Sequence, residues 1–126
     1  MTYQVDGARK LRASLKAAGV SIADLKAVNA AVAQTVHRAA HPNAPVGETH
    51  RLADSERASG TQAAAVVRAG RASVPYAGPI HWGWPARNIV AQPWIQQAAE
   101  RTETTWLDQY LGAMEAVISH VEGATP

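Results

Sequence analysis

The sequence of 126 residues contains no cysteine and no phenylalanine, and both absences restrict what the protein can be. Without cysteine there are no disulfides, no thiolate metal ligands and no cysteine nucleophile. Because phenylalanine is missing and alanine is abundant, we expect a thin core of short aliphatic side chains and a few large rings from tryptophan and tyrosine. The length suits a single domain over residues 1–126.

Long apolar runs and strong net charge are also missing. The N-terminal stretch MTYQVDGARK has no apolar signal core, and no segment approaches the roughly 18 apolar residues of a membrane span. A net charge of +2 permits contact with polyanions but is far from the basic footprint of a dedicated nucleic-acid reader. We therefore expect a soluble protein with no membrane partner.

Two N-terminal segments show the apolar spacing of amphipathic helices, and together they cover about residues 5–41. The first is predicted from Val5 to Gly19. The second is predicted to begin at Ser21, whose hydroxyl can cap the first turn. It should stop near His41, because Pro42 disfavours the helical conformation of the residue before it.

The next part of the chain, about residues 42–72, is predicted to contain a proline-rich loop and a hairpin. RLADSERAS alternates weakly and TQAAAVVRAG is a short apolar run, so two strands should meet around Ser59 and Gly60. Asp54, Ser55 and Glu56 would then lie in a strand, where successive side chains face opposite ways and do not converge on a substrate.

An aromatic segment, VPYAGPIHWGWP, occupies residues 74–85, and its prolines and glycines predict an irregular, rigid loop. A long helix is then predicted over about residues 93–122. At 1.5 Å per residue it would be roughly 45 Å long, more than a compact domain of this size requires. We therefore expect part of it to pack on another copy or another protein.

These elements predict an α+β fold. A small, mostly antiparallel sheet is expected to pack against two N-terminal helices and one long C-terminal helix.

Candidate chemistry is sparse. His37 and His41 are four residues apart and His50 follows, a spacing that can hold a metal. Histidines near a helix C-terminus are more simply explained by the negative end of the helix dipole. No serine-hydrolase, phosphate-loop or zinc-protease motif is present. We predict no catalytic residue, no metal site, no cofactor and no enzymatic activity.

Two sets of residues are candidates for binding. Rings on a rigid loop lose little entropy on docking, so we predict a protein interface, although the same rings would also suit a core. Arginines around the hairpin would contact a phosphate backbone if they share a face, although a solvated strand face also explains them. The proposed interface residues are Tyr76, Trp82, Trp84 and Trp94, and the proposed DNA-facing residues are Arg57, Arg68 and Arg71.

The order of these features resembles the tail-component family of long-tailed bacteriophages. That family has a Thr-Gly-x-Leu-x-x-Ser element, a strand, a Pro-Tyr-Ala segment, an acidic-aromatic-glycine turn and a Pro-Phe-hydrophobic helix start. The matching positions are Thr49, Leu52 and Ser55, with His50 for glycine; Pro75, Tyr76 and Ala77; His81, Trp82 and Gly83, with histidine for the acid; and Pro93, Trp94 and Ile95, with tryptophan for phenylalanine.

The resemblance implies a structural virion protein of the neck, made in the host cytoplasm. Such a protein completes the tail or joins it to the head as a ring of identical subunits, with a hexamer as one candidate. Its expected partners are other copies, neighbouring head-completion and tail proteins, and DNA in transit. The segment at residues 74–85 would then contact either a neighbouring subunit of the same ring or an adjacent ring, with Tyr76 and Trp82 as anchors. The alternative is a small nucleic-acid-binding module that uses an arginine-bearing sheet face.

Overall fold

The computed structural model describes residues 1–5, 22–45, 51–62 and 64–124. Its described part is α+β, with a small antiparallel sheet covered by helices, which confirms the predicted class. In chain order the elements are β1 (Thr2–Gln4), α1 (Ile22–Ala40), α2 (Arg51–Ser55), β2 (Arg57–Gly60), β3 (Ala65–Arg68), α3 (Ala77–Trp82), α4 (Trp94–Arg101) and α5 (Glu103–Ala124). Short 3-10 turns occupy His41–Asn43 and Pro85–Arg87.

The sheet has the order β1-β3-β2, and both pairings are antiparallel. β3 is the central strand, and its first three residues are buried. β1 was not predicted from the sequence. The predicted helix start at Val5 is wrong, because the Val5 amide donates 3.1 Å to the carbonyl of Ala65 and extends the strand pairing. The rest of that predicted helix, residues 6–19, and the predicted cap of the second helix at Ser21 lie outside the described residues.

Helix α1 packs across one face of the sheet and ends at Ala40, as its pattern predicts. Val32, Ala33 and Val36 on its inner face are fully buried. The approach to β2 is close, because a Cβ built on Gly60 would lie 2.1 Å from the backbone nitrogen of Ala30. Glycine at this position therefore lets helix and strand backbones meet.

The predicted hairpin is shifted along the chain. RLADS forms helix α2, with Leu52, Ala53 and Ser55 buried, so the strand prediction for this stretch is wrong. The strands meet around residues 61–64, where the amide of Thr61 donates to the Ala64 carbonyl at 2.9 Å. Ser59 and Gly60 lie within β2 and pair with β3.

The predicted C-terminal helix is interrupted at Thr102, which separates α4 from α5. The Thr102 hydroxyl donates 2.7 Å to the carbonyl of Ala98, so a side chain competes for a helix acceptor at the break. Ala99, Trp106 and Tyr110 recur at helical spacing across the break, and all three are buried. The prediction of one continuous helix is therefore wrong, and helix length no longer argues for a partner.

The aromatic segment is not wholly irregular, since residues 77–82 form α3. Pro79 is tolerated there because amides in the first turn of a helix have no acceptor within the helix. The amide of Ile80 donates 3.0 Å to the Tyr76 carbonyl, and that of Gly83 donates 2.7 Å to the Pro79 carbonyl. Gly83 ends the helix with φ of +84°, a conformation that favours glycine.

Candidate functional site

Trp94 belongs to the core, so the prediction that it contacts a partner is wrong. Only 2% of its surface is exposed, and its indole Nε1 donates 2.7 Å to Oε1 of Glu56. A buried tryptophan usually needs such an acceptor for its N–H. The ring is held inside the molecule and is not available for docking.

Glu56 links three elements from a fully enclosed position. Its Oε2 lies 2.6 Å from Nδ1 of His37, a contact that is an ion pair when His37 is protonated and that lacks the angles of a hydrogen bond. Burial raises the pKa of the Glu56 carboxyl above its ordinary value, while the Trp94 hydrogen bond and the charge of His37 oppose that rise. The carboxyl thus ties α1 and α4 to the start of β2. The sequence pattern missed this contact because it placed Glu56 on an alternating strand.

Three other rings of the aromatic segment face outward. Tyr76 is 40% exposed, Trp82 is 51% exposed and Trp84 is 45% exposed. We call these residues the aromatic surface. Tryptophan and tyrosine are enriched among the residues that dominate protein interfaces.

His81 anchors the aromatic surface to the core. The residue is fully buried, and its ring lies 4.1 Å from that of Trp82 and 5.0 Å from that of Trp94, both edge-on. Its Nε2 accepts a long contact of 3.4 Å from the amide of Gln96. Burial lowers the pKa of His81 to about 4, so the ring is neutral at pH 7 and packs edge-on between the two indoles.

Residues 84–90, which begin at Trp84 of the aromatic surface, form a short closed loop that we call the arginine tip. Its backbone closes on itself, because the amide of Trp84 donates 2.9 Å to the Ile89 carbonyl and that of Ile89 donates 3.1 Å in return. The Arg87 guanidinium lies 5.2 Å from the centroid of the Trp84 ring, within cation–π range. Val90 is 80% exposed. The tip therefore presents a positive charge and apolar surface on a rigid backbone.

An open groove of about 630 Å³ lies between β1 and the junction of α4 with α5. Its floor includes Ala99 and Trp106, one wall is Trp82, and its carboxylates are Glu100 and Glu103. We call it the acidic groove. Its volume falls in the range of about 300 to 1,000 Å³ that is typical of binding pockets.

The predicted DNA-facing arginines lie near one end of the sheet. Arg57 and Arg68 are direct cross-strand partners, and both are exposed. Arg57 has a structural contact as well, because its Nη1 donates 2.8 Å to the Ser55 carbonyl and 3.0 Å to the Gly70 carbonyl. Gly70 directly precedes Arg71. Arg71 is exposed and pairs with Val74 in an isolated β-bridge.

The histidine pair at the end of α1 lies close together. The rings of His37 and His41 are 5.6 Å apart. Within the described ranges, no group of three or more histidine, cysteine or acidic side chains is arranged to hold a metal. His50, the third residue of the sequence pattern, is outside those ranges.

Comparison with known protein families, with curated proteins and with solved structures finds no match for this chain. The resemblance to phage tail components therefore stays a prediction. In the structure, Leu52 and Ser55 of its motifs lie in α2, Tyr76 precedes α3 and Trp94 begins α4, while Thr49 is not described. No helix in the described part of the chain combines the length and apolar character needed to cross a membrane.

Proposed function

We propose that this chain is a structural protein of the neck of a long-tailed phage, completing the tail or joining it to the head as part of an oligomeric ring. The observation that carries the proposal is the exposure of Tyr76, Trp82 and Trp84 on a segment that the core holds in place. The order of motifs along the sequence supplies the assignment to the neck.

The energetics favour a protein partner for this surface. A tryptophan buries about 150 to 250 Å² when fully covered, so the exposed half of one ring offers on the order of 100 Å². At about 25 cal/mol per Å², covering that half contributes about 2.5 kcal/mol before the cost of association. Covering the exposed halves of Trp82 and Trp84 would together contribute about 5 kcal/mol to a contact.

The buried acid–base pair does not favour catalysis. The Glu56 side chain is 0% exposed, and its oxygens contact His37 and Trp94. A substrate cannot reach that carboxyl without displacing the core. We therefore assign this pair to stability and propose no reaction.

The alternative is a nucleic-acid-binding module, and one observation favours it. Arg57 and Arg68 face each other across the strands, and like charges in that position repel unless an anion lies near them. The two bonds that Arg57 makes to carbonyls weaken this alternative, because they occupy one of its nitrogens.

The first test is the native mass of the purified chain over a wide concentration range, with electron microscopy of any oligomer. We expect closed rings, and we expect Trp82→Ala to weaken association by more than it lowers the free energy of unfolding, because about half of the ring is exposed and the other half packs against His81. A variant that unfolds before it dissociates would contradict the docking role.

Binding to duplex DNA at rising salt separates the two proposals. Tight binding by single subunits that falls steeply with salt, and is lost in an Arg68→Glu and Arg71→Glu variant, would favour the nucleic-acid module. Rings that form without DNA and that those two substitutions leave intact would favour the neck subunit.

A further inference from the structure

We infer that the arginine tip of one copy docks in the acidic groove of the next copy. This inference rests on the proposed function, because it names the partner and the receiving surface of the same region. It identifies a contact between two different patches of the subunit, with Arg87 on one side and Glu100 and Glu103 on the other.

The tip is already organised for docking. Backbone hydrogen bonds between Trp84 and Ile89 close it, and the amide of Gln92 donates 2.8 Å to the Ile80 carbonyl at its base. Stacking on Trp84 limits the freedom of the Arg87 side chain. Little conformational entropy is then lost when the tip binds, and arginine beside tryptophan is a common composition of interface hot spots.

The groove offers matching chemistry. Glu100 accepts one long bond of 3.3 Å from Gln96, and neither Glu100 nor Glu103 has an ion pair within the described ranges. Arg87 likewise has no carboxylate partner in that part of the chain. Trp82 and the groove floor supply apolar surface for Val90 and the Trp84 ring.

The two patches are separate surfaces of the subunit. Trp84, Arg87 and Val90 do not line the groove, so the donor and acceptor surfaces of one subunit are different. When each tip enters the groove of a different neighbour, the contact is heterologous, and its repetition produces a ring when the rotation closes and a filament when it does not. Two copies that exchange tips would instead form a closed two-fold dimer, so the size of the oligomer distinguishes the two arrangements.

Charge reversal tests the pairing on the full chain. Arg87→Glu and Glu100→Arg should each weaken self-association about tenfold or more, because like charges then meet across the contact. An equal mixture of the two variants should associate again, since each tip then meets a groove of opposite charge. Glu115→Arg is the matched control, because this exposed glutamate of α5 does not line the groove.

Sedimentation velocity gives the association constants, and urea unfolding verifies that each variant folds. Loss of association in both single variants with recovery in the mixture would establish the pairing. If Tyr76→Ser weakens association while Arg87→Glu does not, the aromatic surface still binds a partner and the tip-to-groove contact is wrong. Wild-type protein that stays monomeric at every concentration would also overturn it.

Discussion

Lowering the pH from 7 to 4 should destabilise the fold through His81, which is fully buried between Trp82 and Trp94. Burial lowers its pKa from 6.5 to about 4, so the unfolded chain takes up a proton at a higher pH than the folded chain does. The stabilising effect is complete above pH 6.5 and is lost as the pH falls through about 4. The unfolded state binds more protons in that window, and the free energy of unfolding decreases with falling pH.

The size of the effect follows from the shift in pKa. A difference between 6.5 and about 4 corresponds to roughly 3 kcal/mol at about 1.4 kcal/mol per pKa unit. Domains of this kind are stable by about 5 to 15 kcal/mol, so a loss of roughly 3 kcal/mol is a large fraction of the total stability.

Urea unfolding between pH 7 and pH 4, followed by tryptophan fluorescence, measures this dependence. His81→Phe keeps a ring between the two indoles and removes the titrating group. Between pH 7 and pH 4, the free energy of unfolding of this variant should therefore decrease by about 3 kcal/mol less than that of the wild type. Trp82→Phe is the control, because it changes a neighbouring ring without removing a titrating group. Parallel pH profiles for the wild type and His81→Phe would refute the role of His81.

Two further substitutions test the packing. Gly60→Ala should destabilise the fold by about 1 to 3 kcal/mol, because the new Cβ would lie 2.1 Å from the backbone nitrogen of Ala30. A Cβ at Gly78 meets no atom within 4 Å, so Gly78→Ala should leave the stability unchanged or raise it. Equal urea midpoints for the two variants would contradict this. Trp94→Phe leaves Oε1 of Glu56 without its indole donor, so it should lower the free energy of unfolding by about 1 to 3 kcal/mol at pH 7. An unchanged thermal midpoint would show that this hydrogen bond does not stabilise the fold.

Local pattern was sufficient for α1 and for the buried face of α4 and α5. Apolar residues at helical spacing predict which side is buried, and Pro42 marks where α1 must end. The same reasoning failed for RLADS, since five residues carry too little periodicity to separate a helix from a strand. It failed again at Thr102, because a hydroxyl that competes for helix carbonyls leaves no trace in the apolar pattern.

The sequence by itself determined that rigid aromatic residues cluster in one segment, that helices cover a small sheet, and that no thiol chemistry is possible. Only the tertiary structure decided which rings face inward. Trp94 lies in the core, where Glu56, distant in sequence, accepts the hydrogen bond of its indole, while Trp82 and Trp84 are about half exposed. Burial depends on contacts between distant parts of the chain, and no local pattern encodes those contacts.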